Sequence, residues 1–265
     1  MIRTYYSWLV RLVGRSISSL LSRAVEQDHT EHDNPVVDAG VLVWLLRGLV
    51  CRSHHEPVGK AVLITGCDTG IGHEVARHLD MLGLWVFAGC ENTASEGAQR
   101  LRVEASARLQ LVNMDVRQEH QVEMAVRYIQ DNLPADCNGL WAVINNAGLC
   151  VCGEFDWQTL EQIGAQLDTN LRGCLNVTKL TLPLLKQAQG RLINVSSVAA
   201  RHPYPGLSVY TASKHALEGF SQVIRLELAK FGVQVVTIQP GDFSKATNLL
   251  NNHHKELSHT AGLDF

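Results

Sequence analysis

Residues 61–75 read AVLITGCDTGIGHEV, an apolar run of five residues that leads directly into a glycine-rich turn. Three glycines in such a turn allow a tight bend, a close approach of the backbone to a pyrophosphate and close packing of a helix on a strand. The helix that follows would present its free N–H groups to an anion. The stretch therefore predicts a strand–turn–helix unit that binds a dinucleotide, with the contacts made by Gly66, Asp68, Thr69, Gly70, Ile71 and Gly72.

A glycine cluster alone also fits an ordinary turn, so the surrounding pattern matters. Short apolar runs alternate with longer amphipathic segments from residue 60 onward. The predicted strands are 61–65, 85–89, 109–114, 141–145, 192–196 and 234–239, and the predicted helices are 72–82, 94–105, 118–133, 160–187 and 209–231. Because the strand runs are apolar almost throughout, they are expected to be covered on both faces. The order predicts an α/β protein with a Rossmann-type, doubly wound parallel sheet in three αβα layers.

The composition indicates a globular protein with one large domain, predicted at 60–265, and an N-terminal extension at 1–59. The chain has 265 residues, of which 46% are hydrophobic and 18% charged. Its formal net charge of −3 gives no electrostatic basis for binding nucleic acid, which requires clustered cations. Seven cysteines without a CxxC pair are typical of buried thiols in a reducing compartment. Cys150 and Cys152 are interpreted as pointing in opposite directions, and no metal site is predicted.

The first 25 residues contain four arginines, several serines and no acidic residue. This composition fits a basic amphipathic helix that lies in a membrane interface, or a mitochondrial targeting segment, which has a similar composition. A core-packing helix or a frayed tail is the alternative. Neither this segment nor the apolar run 39–46 approaches the roughly 20 residues that span a bilayer.

Acidic residues follow the second and third predicted strands. The residue that contacts the adenosine ribose is expected at the end of the second strand. An acidic residue there accepts a hydrogen bond from a free 2′-hydroxyl, whereas an arginine there binds a 2′-phosphate. Glu91 lies there, and neither this segment nor the glycine turn contains an arginine or lysine. The sequence therefore favours NAD over NADP, although Glu91 also fits a solvated loop charge. Asp115 ends the third strand, where it could bond to an adenine amino group.

Tyr210 and Lys214 lie four residues apart in YTASK, so a helix places them on one face. A free tyrosine has a pKa of about 10, and a desolvated cation beside it can lower that pKa toward the range of a base near neutral pH. A surface tyrosine and lysine on a helix have the same spacing, so this pair requires support from other motifs.

Taken in order, the motifs resemble the short-chain dehydrogenase/reductase family over residues 60–245. The matching positions are the turn 65–72, the run 145–148, Asn170, Ser197, Tyr210, Lys214, Pro240 and Gly241. Ser197 precedes Tyr210 by 13 positions, the separation that the family's active-site serine shows, and this selects Ser197 over Ser196.

The resemblance implies a role for each matched residue. Tyr210 would exchange the proton of an alcohol, and Ser197 would bond to the carbonyl oxygen. Lys214 would lower the Tyr210 pKa and hold the nicotinamide ribose, and Asn170 would interrupt its helix and anchor a water molecule. Tyr210 and Lys214 would thus also contact the cofactor, together with Asn146, Ala147, Gly148, Pro240 and Gly241.

Within the family, residues 139–148, 225–232 and 238–241 look most like the membrane-associated branch. That branch contains type 2 17β-hydroxysteroid, retinol and mitochondrial D-β-hydroxybutyrate dehydrogenases. The resemblance implies a small lipophilic alcohol or ketone as substrate, contact with a membrane surface, and a homodimer through the helices 160–187 and 209–231. It also implies a place at the endoplasmic reticulum or in mitochondria. A hydroxybutyrate-type dehydrogenase is the alternative within this class.

The chain departs from the family after Gly241. Residues 242–265 are polar and rich in histidine, with no strand pattern, whereas a family core continues through a substrate-covering segment, a helix and a last strand. The sheet is therefore expected to be truncated before its last strand. Residues 244–265 fit either the start of a substrate helix or a loose tail. A non-catalytic dinucleotide-binding protein that lacks the substrate lid is the alternative from another functional class.

Overall fold

The computed structural model of the chain describes residues 57–241, and a six-stranded parallel sheet lies at their centre. The strands are β1 Ala61–Thr65, β2 Trp85–Cys90, β3 Leu109–Asn113, β4 Leu140–Asn145, β5 Arg191–Val195 and β6 Gln234–Ile238. Their spatial order is β3-β2-β1-β4-β5-β6, and each hydrogen-bonded pair is parallel. The doubly wound α/β prediction is confirmed. The order reverses between β1 and β4, which creates a crevice at the carboxyl ends of these two strands.

Helices connect successive strands. They are α1 Gly70–Met81, α2 Glu96–Glu104, α3 Glu119–Asn132, α4 Leu160–Leu167, α5 Cys174–Ala188 and α6 Ser208–Ala229. A π-helical segment, Asp168–Gly173, joins α4 to α5, and short 3₁₀ segments lie at Phe155–Trp157 and Val198–Ala200. The single helix predicted at 160–187 is therefore continuous in space but changes its hydrogen-bond pattern in the middle.

The two faces of the sheet carry separate apolar cores. Along β1, Val62 and Ile64 pack on one face with α1 and α2, while Ala61 and Leu63 pack on the other with α3, α5 and α6. None of these four residues has any exposed surface. Successive side chains of a strand point to opposite faces, so an apolar run without polar alternation is buried on both sides. Helices packed on both faces of the sheet form the three predicted αβα layers.

A buried polar network joins the centre of the sheet to the helices of one layer. The Asn145 amide nitrogen donates to Thr178 Oγ1 at 3.0 Å and to Asn194 Oδ1 at 2.9 Å. Asn194 in turn donates to Ser221 Oγ at 2.8 Å. Buried amides require such partners, because an unpaired one costs about 1–3 kcal/mol. The network fixes β4 and β5 against α5 and α6, which carry the residues described below.

Some sequence predictions fall outside the described residues. They concern the extension 1–59, apart from residues 57–59, the segment 244–265 and the predicted truncation of the sheet before a last strand. Among residues 57–241, no helix is both long enough and apolar enough to cross a membrane.

Candidate active site

The glycine turn lies over the crevice between β1 and β4. Gly66 and Gly70 have φ angles of +71° and +64°, in the left-handed region that favours glycine. A Cβ on Gly66 would lie 2.9 Å from the Ala147 Cα, and a Cβ on Gly72 would lie 2.2 Å from the Gly66 carbonyl oxygen. Side chains at these positions would therefore displace backbone. The glycines bring the start of α1 against the turn that follows β4.

The N-terminus of α1 differs from those of α2 and α4. Ser95 caps α2 by accepting a hydrogen bond from Ala98 N, and Thr159 caps α4 in the same way. At α1, Thr69 is exposed and makes no side-chain cap bond, and the first turn of this described helix contains no acidic residue. Its N–H groups are thus left without a side-chain acceptor, and an anion would satisfy them. This cradle fits the pyrophosphate of a dinucleotide.

Two of the predicted cofactor residues hold the turn in place. The Asp68 carboxylate accepts hydrogen bonds from Glu91 N at 2.9 Å, from Asn92 N at 3.2 Å and from Ser95 Oγ at 3.3 Å. The Asn146 side-chain amide donates to the carbonyl oxygens of Thr65, at 2.9 Å, and Gly66, at 3.1 Å. Both side chains are therefore engaged in joining elements of the protein itself. Ile71, the residue after the turn's second glycine, packs against the core.

An acidic side of the crevice is formed by Asp68, Glu91 and Asp115, together with Arg117. Arg117 Nε donates to Asp115 Oδ1 at 2.9 Å, and Arg117 Nη2 donates to Glu91 Oε1 at 2.5 Å. Burial alone would raise the pKa of Asp115, but the hydrogen bonds and charge of Arg117 outweigh it, and the pKa is lowered. Glu91 is two-thirds exposed, as expected of a partly solvated loop charge.

The sequence pattern did not identify Arg117, because a cation at this site was expected only after β2 or in the glycine turn. The loop after β3 carries it, and neighbouring parallel strands end at the same edge of the sheet. The signal that could have found it is the position two residues after Asp115. Because Asp115 is bonded to Arg117, its carboxylate is already engaged at the point where an adenine contact was predicted.

The tyrosine side of the crevice consists of Asn170, Ser197, Tyr210 and Lys214. Tyr210 and Lys214 lie on α6, with 8% and 3% of their surface exposed, and Ser197 follows β5 with 8% exposed. Ser197 Oγ accepts a hydrogen bond from Ala199 N at 3.1 Å, and the Ser197 side chain lies close enough to Tyr210 to lower its pKa. Ser197 rather than Ser196 therefore contacts the tyrosine.

Lys214 is a buried cation whose position is set by the backbone. Its Nζ donates to the Val195 carbonyl oxygen at 2.9 Å and lies 5.7 Å from the centre of the Tyr210 ring. Burial disfavours the ammonium and lowers the pKa of Lys214 to about 8. The side chain thus points toward Tyr210 and the carboxyl end of β5, where the crevice opens.

The predicted lowering of the Tyr210 pKa is wrong for this arrangement of the chain. Burial is the largest influence and raises the pKa of Tyr210 to about 12, against the opposing effect of the Ser197 hydrogen bond. The nearby thiols Cys150 and Cys152 raise it further. The reason is that desolvation of a phenolate outweighs its one neutral hydrogen bond here, and the Lys214 ammonium is occupied by Val195.

Asn170 lies in the π-helical segment between α4 and α5, so the helix interruption implied by the family resemblance is confirmed. Its side chain is 1% exposed and binds the loop after β4. Its oxygen accepts from Leu149 N at 2.7 Å, and its nitrogen donates to Leu149 O at 2.8 Å and to Ser213 Oγ at 3.0 Å. Asn170 therefore fixes the loop that runs past Tyr210.

The remaining predicted residues line the same edge of the sheet. Ala147 N donates to Thr65 Oγ1 at 3.0 Å. A Cβ on Gly148 would lie 3.5 Å from Asn170 Oδ1 and 3.6 Å from Lys214 Nζ. The Pro240 carbonyl accepts from Val198 N at 3.0 Å, and Gly241 is the last described residue. The loops after β1, β4, β5 and β6 thus meet around one crevice.

The interpretation of Cys150 and Cys152 as pointing in opposite directions is wrong. Their sulfur atoms lie 3.8 Å apart. In an extended segment, adjacent residues point to opposite sides, whereas residues two apart share a side. Within residues 57–241, no group of three or more histidine, cysteine, aspartate or glutamate residues could hold a metal ion.

Comparisons with known proteins agree with this geometry. The family model described as short chain dehydrogenase matches residues 60–257, about three quarters of the chain. Mitochondrial D-beta-hydroxybutyrate dehydrogenase of Mus musculus is 39% identical over 193 residues, which cover 72% of this chain and 56% of that protein. Estradiol 17-beta-dehydrogenase 2 of Rattus norvegicus is 43% identical over 196 residues, covering 73% and 50% respectively. The chain spans about half the length of these relatives.

A solved structure shares the arrangement of the elements. The crystal structure of 3-ketoacyl-(acyl-carrier-protein) reductase from Brucella melitensis, complexed with NADH, superposes with a TM-score of 0.67 at 26% identity. The match covers 75% of this chain and 81% of that one.

Proposed function

The chain belongs to the short-chain dehydrogenase family, and from that premise we propose that it is an NAD-dependent oxidoreductase of lipophilic secondary alcohols. It would interconvert an alcohol of the steroid or retinoid type and the corresponding carbonyl compound. The observation that carries the proposal is the tyrosine side of the crevice: Ser197 lies beside Tyr210, and the buried Lys214 lies on the same face of α6. A protein that only binds a dinucleotide has no need of this combination.

A nicotinamide bound in the crevice would accept the hydride that leaves the carbinol carbon. The protein supplies the proton transfer and the alignment. Tyr210 takes the hydroxyl proton, and Ser197 donates a hydrogen bond to the developing carbonyl oxygen. Burial holds the Tyr210 pKa at about 12, so the phenol requires additional positive charge before it ionises near neutral pH. The positive charge of the oxidised cofactor and the Lys214 ammonium have the required sign.

Lys214 and Asn170 position these groups. Lys214 reaches the edge of the sheet at Val195, and we assign to it the hydroxyls of the nicotinamide ribose. Asn170 fixes the loop at Leu149, so its side chain acts on the wall of the site. The relay of the proton to a water molecule held by Asn170 is part of the same proposal.

NAD is proposed as the cofactor because of the charge on the acidic side. Asp68, Glu91 and Asp115 supply three carboxylates, and Arg117 supplies one guanidinium that is bonded to two of them. A 2′-phosphate placed here would meet net negative charge, whereas a free ribose hydroxyl would find acceptors.

A lipophilic substrate is proposed because the wall beside Tyr210 is apolar. Cys150 and Ala199 pack against the Tyr210 ring, and Cys152 and Leu207 lie partly exposed at the margin of this cluster. Such a surface suits a hydrocarbon skeleton better than a carboxylate. A 3-hydroxybutyrate-type dehydrogenase is the second candidate, because a relative with that name is 39% identical to this chain.

We further propose a homodimer and a membrane-associated or mitochondrial location. The helices α4 and α6 expose Leu160 at 87% and Leu226 at 78%, and a dimer interface on these helices would cover both side chains. Changing Leu226 to Arg is expected to convert a dimer to a monomer in analytical ultracentrifugation. A fusion of residues 1–60 to a fluorescent protein, stained against reticular and mitochondrial markers, tests the location. A diffuse signal would contradict it.

The activity is tested with the purified chain, NAD and a panel of steroids, retinol and 3-hydroxybutyrate. NADH absorbance is expected to appear with a lipophilic alcohol and to fall by about a hundredfold or more in Tyr210→Phe. The control is Tyr128→Phe, which removes a surface hydroxyl bonded to Gln110 and is expected to leave the rate unchanged.

Each outcome discriminates between the candidates. Turnover confined to 3-hydroxybutyrate favours the second candidate. Binding of NAD in a titration, without turnover of any alcohol, favours a non-catalytic dinucleotide-binding protein. Equal rates in Tyr210→Phe and Tyr128→Phe would contradict the assignment of Tyr210.

A further inference from the structure

Two thiols lie in the wall of the site, and neither has a role in the proposed hydride transfer. Cys150 and Cys152 belong to the segment 149–153, which follows β4 and contacts α4 at Gln166 and α6 at Tyr210. Their sulfur atoms are 3.8 Å apart, and both cysteines are free. A disulfide bond is about 2.0 Å long, so the pair is within one small movement of forming one.

The backbone of this segment explains why the two thiols face each other. Leu149 is bonded to Asn170 through both its N–H and its carbonyl group. Val151 N donates to Gln166 Oε1 at 3.0 Å, and Gly153 N donates to Gly206 O at 2.9 Å. Every second residue is thus anchored through its backbone. The cysteines between them extend to a common side, as alternate residues of an extended chain do.

The side that the two thiols share is the tyrosine side of the crevice. Cys150 is buried and packs with Ala199 and Tyr210, while Cys152 is partly exposed at the margin of that cluster. A reagent can therefore reach Cys152 from solvent, and Cys150 lies behind it. A change at either sulfur is transmitted directly to the wall against which the tyrosine rests.

We propose that Cys150 and Cys152 form a modification site, at which a hydroperoxide generates a disulfide that blocks the chemistry at Tyr210. The block of turnover, though not the disulfide itself, rests on the proposed function.

The reaction balances with the hydroperoxide as its only oxidant. The Cys152 sulfur attacks one peroxide oxygen, the O–O bond breaks, and the thiol proton leaves with the second oxygen as an alcohol or water. Cys152 becomes a sulfenic acid. The Cys150 sulfur then attacks the Cys152 sulfur, the S–O bond breaks, and a water molecule leaves with the remaining thiol proton. Two thiols are oxidised by two electrons in total, and one hydroperoxide is reduced.

The environment assigns the order of attack. Cys152 is partly exposed, whereas Cys150 is buried against Tyr210, so a hydroperoxide reaches the Cys152 sulfur first and Cys150 resolves the sulfenic acid. The hydrogen bond between the two thiols also lowers the pKa of Cys152, which favours the thiolate that attacks a peroxide.

The disulfide changes the site because the segment is anchored on both sides of each thiol. The sulfurs must approach from 3.8 Å to about 2.0 Å. The anchors at Leu149, Val151 and Gly153 oppose a shift of the backbone, so Cys150 has to leave its packing position against Tyr210 or strain those bonds. A displacement of about 1 Å beside a reacting group lowers turnover by about a hundredfold.

The test uses the full chain with Cys137→Ser as the parent variant. Trypsin releases residues 128–172 as one peptide, in which Cys137, Cys150 and Cys152 are the cysteines. With Cys137 replaced, the loss of two hydrogen atoms identifies the Cys150–Cys152 pair unambiguously. The parent is treated with hydrogen peroxide, free thiols are alkylated with iodoacetamide, and the peptide is analysed by mass spectrometry before and after dithiothreitol.

The expected result has three parts. The peptide loses two hydrogen atoms and resists alkylation, and dithiothreitol reverses both changes. Turnover of the lipophilic alcohol by the parent falls by about a hundredfold after peroxide and returns with dithiothreitol. The additional change Cys152→Ser prevents the disulfide, and that variant keeps its own untreated rate after peroxide.

Two results overturn the proposal. If both thiols remain alkylatable, or if Cys152 carries a sulfinic acid beside a free Cys150, the disulfide is wrong. If the disulfide forms and turnover is unchanged, the block at Tyr210 is wrong. A chain that oxidises no alcohol before treatment refutes the proposed function instead, and the peptide masses still decide for or against the dithiol site.

Discussion

The two sides of the crevice differ in how far their charged and titratable groups are exposed to water. On the tyrosine side, Tyr210 and Lys214 are almost fully buried, and burial is the main influence on both pKa values. On the acidic side, Glu91 is two-thirds exposed, the more buried Asp115 is paired with Arg117, and that pairing lowers the Asp115 pKa against the effect of burial. The same edge of one sheet therefore carries a desolvated reaction site and a charged site whose margin at Glu91 is open to water.

The difference predicts how each side responds to substitution. An unpaired or displaced group in a low-dielectric environment costs several kilocalories per mole, whereas an exposed ion pair contributes about 0–1 kcal/mol. Changes on the tyrosine side should therefore alter rates by orders of magnitude, and changes on the acidic side should alter cofactor preference by small factors. Three substitutions and one pH titration test this contrast.

The largest effect is expected from Lys214→Met. This change keeps much of the buried volume but removes the cation and its bond to Val195. Loss of one charged group aimed at the reacting centre lowers kcat/KM by about a hundredfold to a thousandfold. Steady-state kinetics measure it, with Lys179→Met on the exposed face of α5 as the control. Equal rates in the two variants would place catalysis elsewhere.

A smaller but still substantial effect is expected at the glycine turn, which lies between the two sides. A Cβ on Gly72 would lie 2.2 Å from the Gly66 carbonyl oxygen and 2.4 Å from Asn146 Nδ2. Gly72→Ala should reduce the free energy of unfolding by about 1–3 kcal/mol and weaken NAD binding. The matched control is Gly219→Ala on α6, where nothing lies within 4 Å of the added Cβ.

The control is expected to change stability in the opposite direction. Alanine is favoured over glycine in a helix by about 1 kcal/mol, so Gly219→Ala should be slightly more stable than the unmodified chain. Urea unfolding measures both variants. If Gly72→Ala is as stable as Gly219→Ala and binds NAD equally well, the close packing of the turn on β4 is not required.

The pH dependence of cofactor binding probes the buried cation directly. Burial lowers the pKa of Lys214 to about 8, so the side chain is an ammonium below that pH and a neutral amine above it. A charged donor contributes about 1 kcal/mol more than a neutral one, so the NAD dissociation constant should rise about fivefold as the pH increases through 8. Isothermal titration calorimetry measures this change. Lys214→Met should bind NAD weakly and show no such step, and a step of equal size in that variant would assign the titration to another group.

Much of the fold could be predicted from the sequence, because burial on both faces leaves a direct signature. The strands lie within one residue of the predicted bounds, since their apolar runs end where the chain reaches the sheet edge. The hydrophobic pattern predicted one helix at 160–187, and only the family resemblance implied the interruption at Asn170. Side-chain periodicity does not report that feature, which accompanies the bonds of Asn170 to Leu149 and Ser213.

The residues of the site could be predicted better than their interactions. The tyrosine side depends on positions that a family resemblance identifies, and the structure brings all four together. The pKa of Tyr210 could not be predicted from the Tyr–Lys spacing, because it depends on how much solvent the fold removes. Arg117 reaches Glu91 only through the pairing of β2 with β3. The error at Cys150 and Cys152 was one of local geometry, which correct use of strand alternation would have avoided.

The smallest effect is expected on the acidic side, from Glu91→Gln. The change removes one of three carboxylates and leaves Arg117 bonded to Asp115, so the local charge becomes less negative. Because Glu91 is largely exposed, water screens most of the difference. NADP affinity relative to NAD should rise about threefold, which corresponds to an exposed ion pair of less than about 1 kcal/mol. Fluorescence titration with the two cofactors measures the ratio.

Two variants make this small effect interpretable. Glu74→Gln removes a comparable surface pair with Arg77 on α1 and should leave the ratio unchanged. Arg117→Ala removes the one guanidinium that is bonded to both Glu91 and Asp115, so it should change the ratio in the opposite direction, toward NAD. If Glu91→Gln and Arg117→Ala shift the ratio in the same direction, charge does not set the preference, and the loop geometry that Arg117 maintains becomes the better explanation. A shift of a hundredfold would instead mean that this side is as desolvated as the tyrosine side, and the contrast between them would fail.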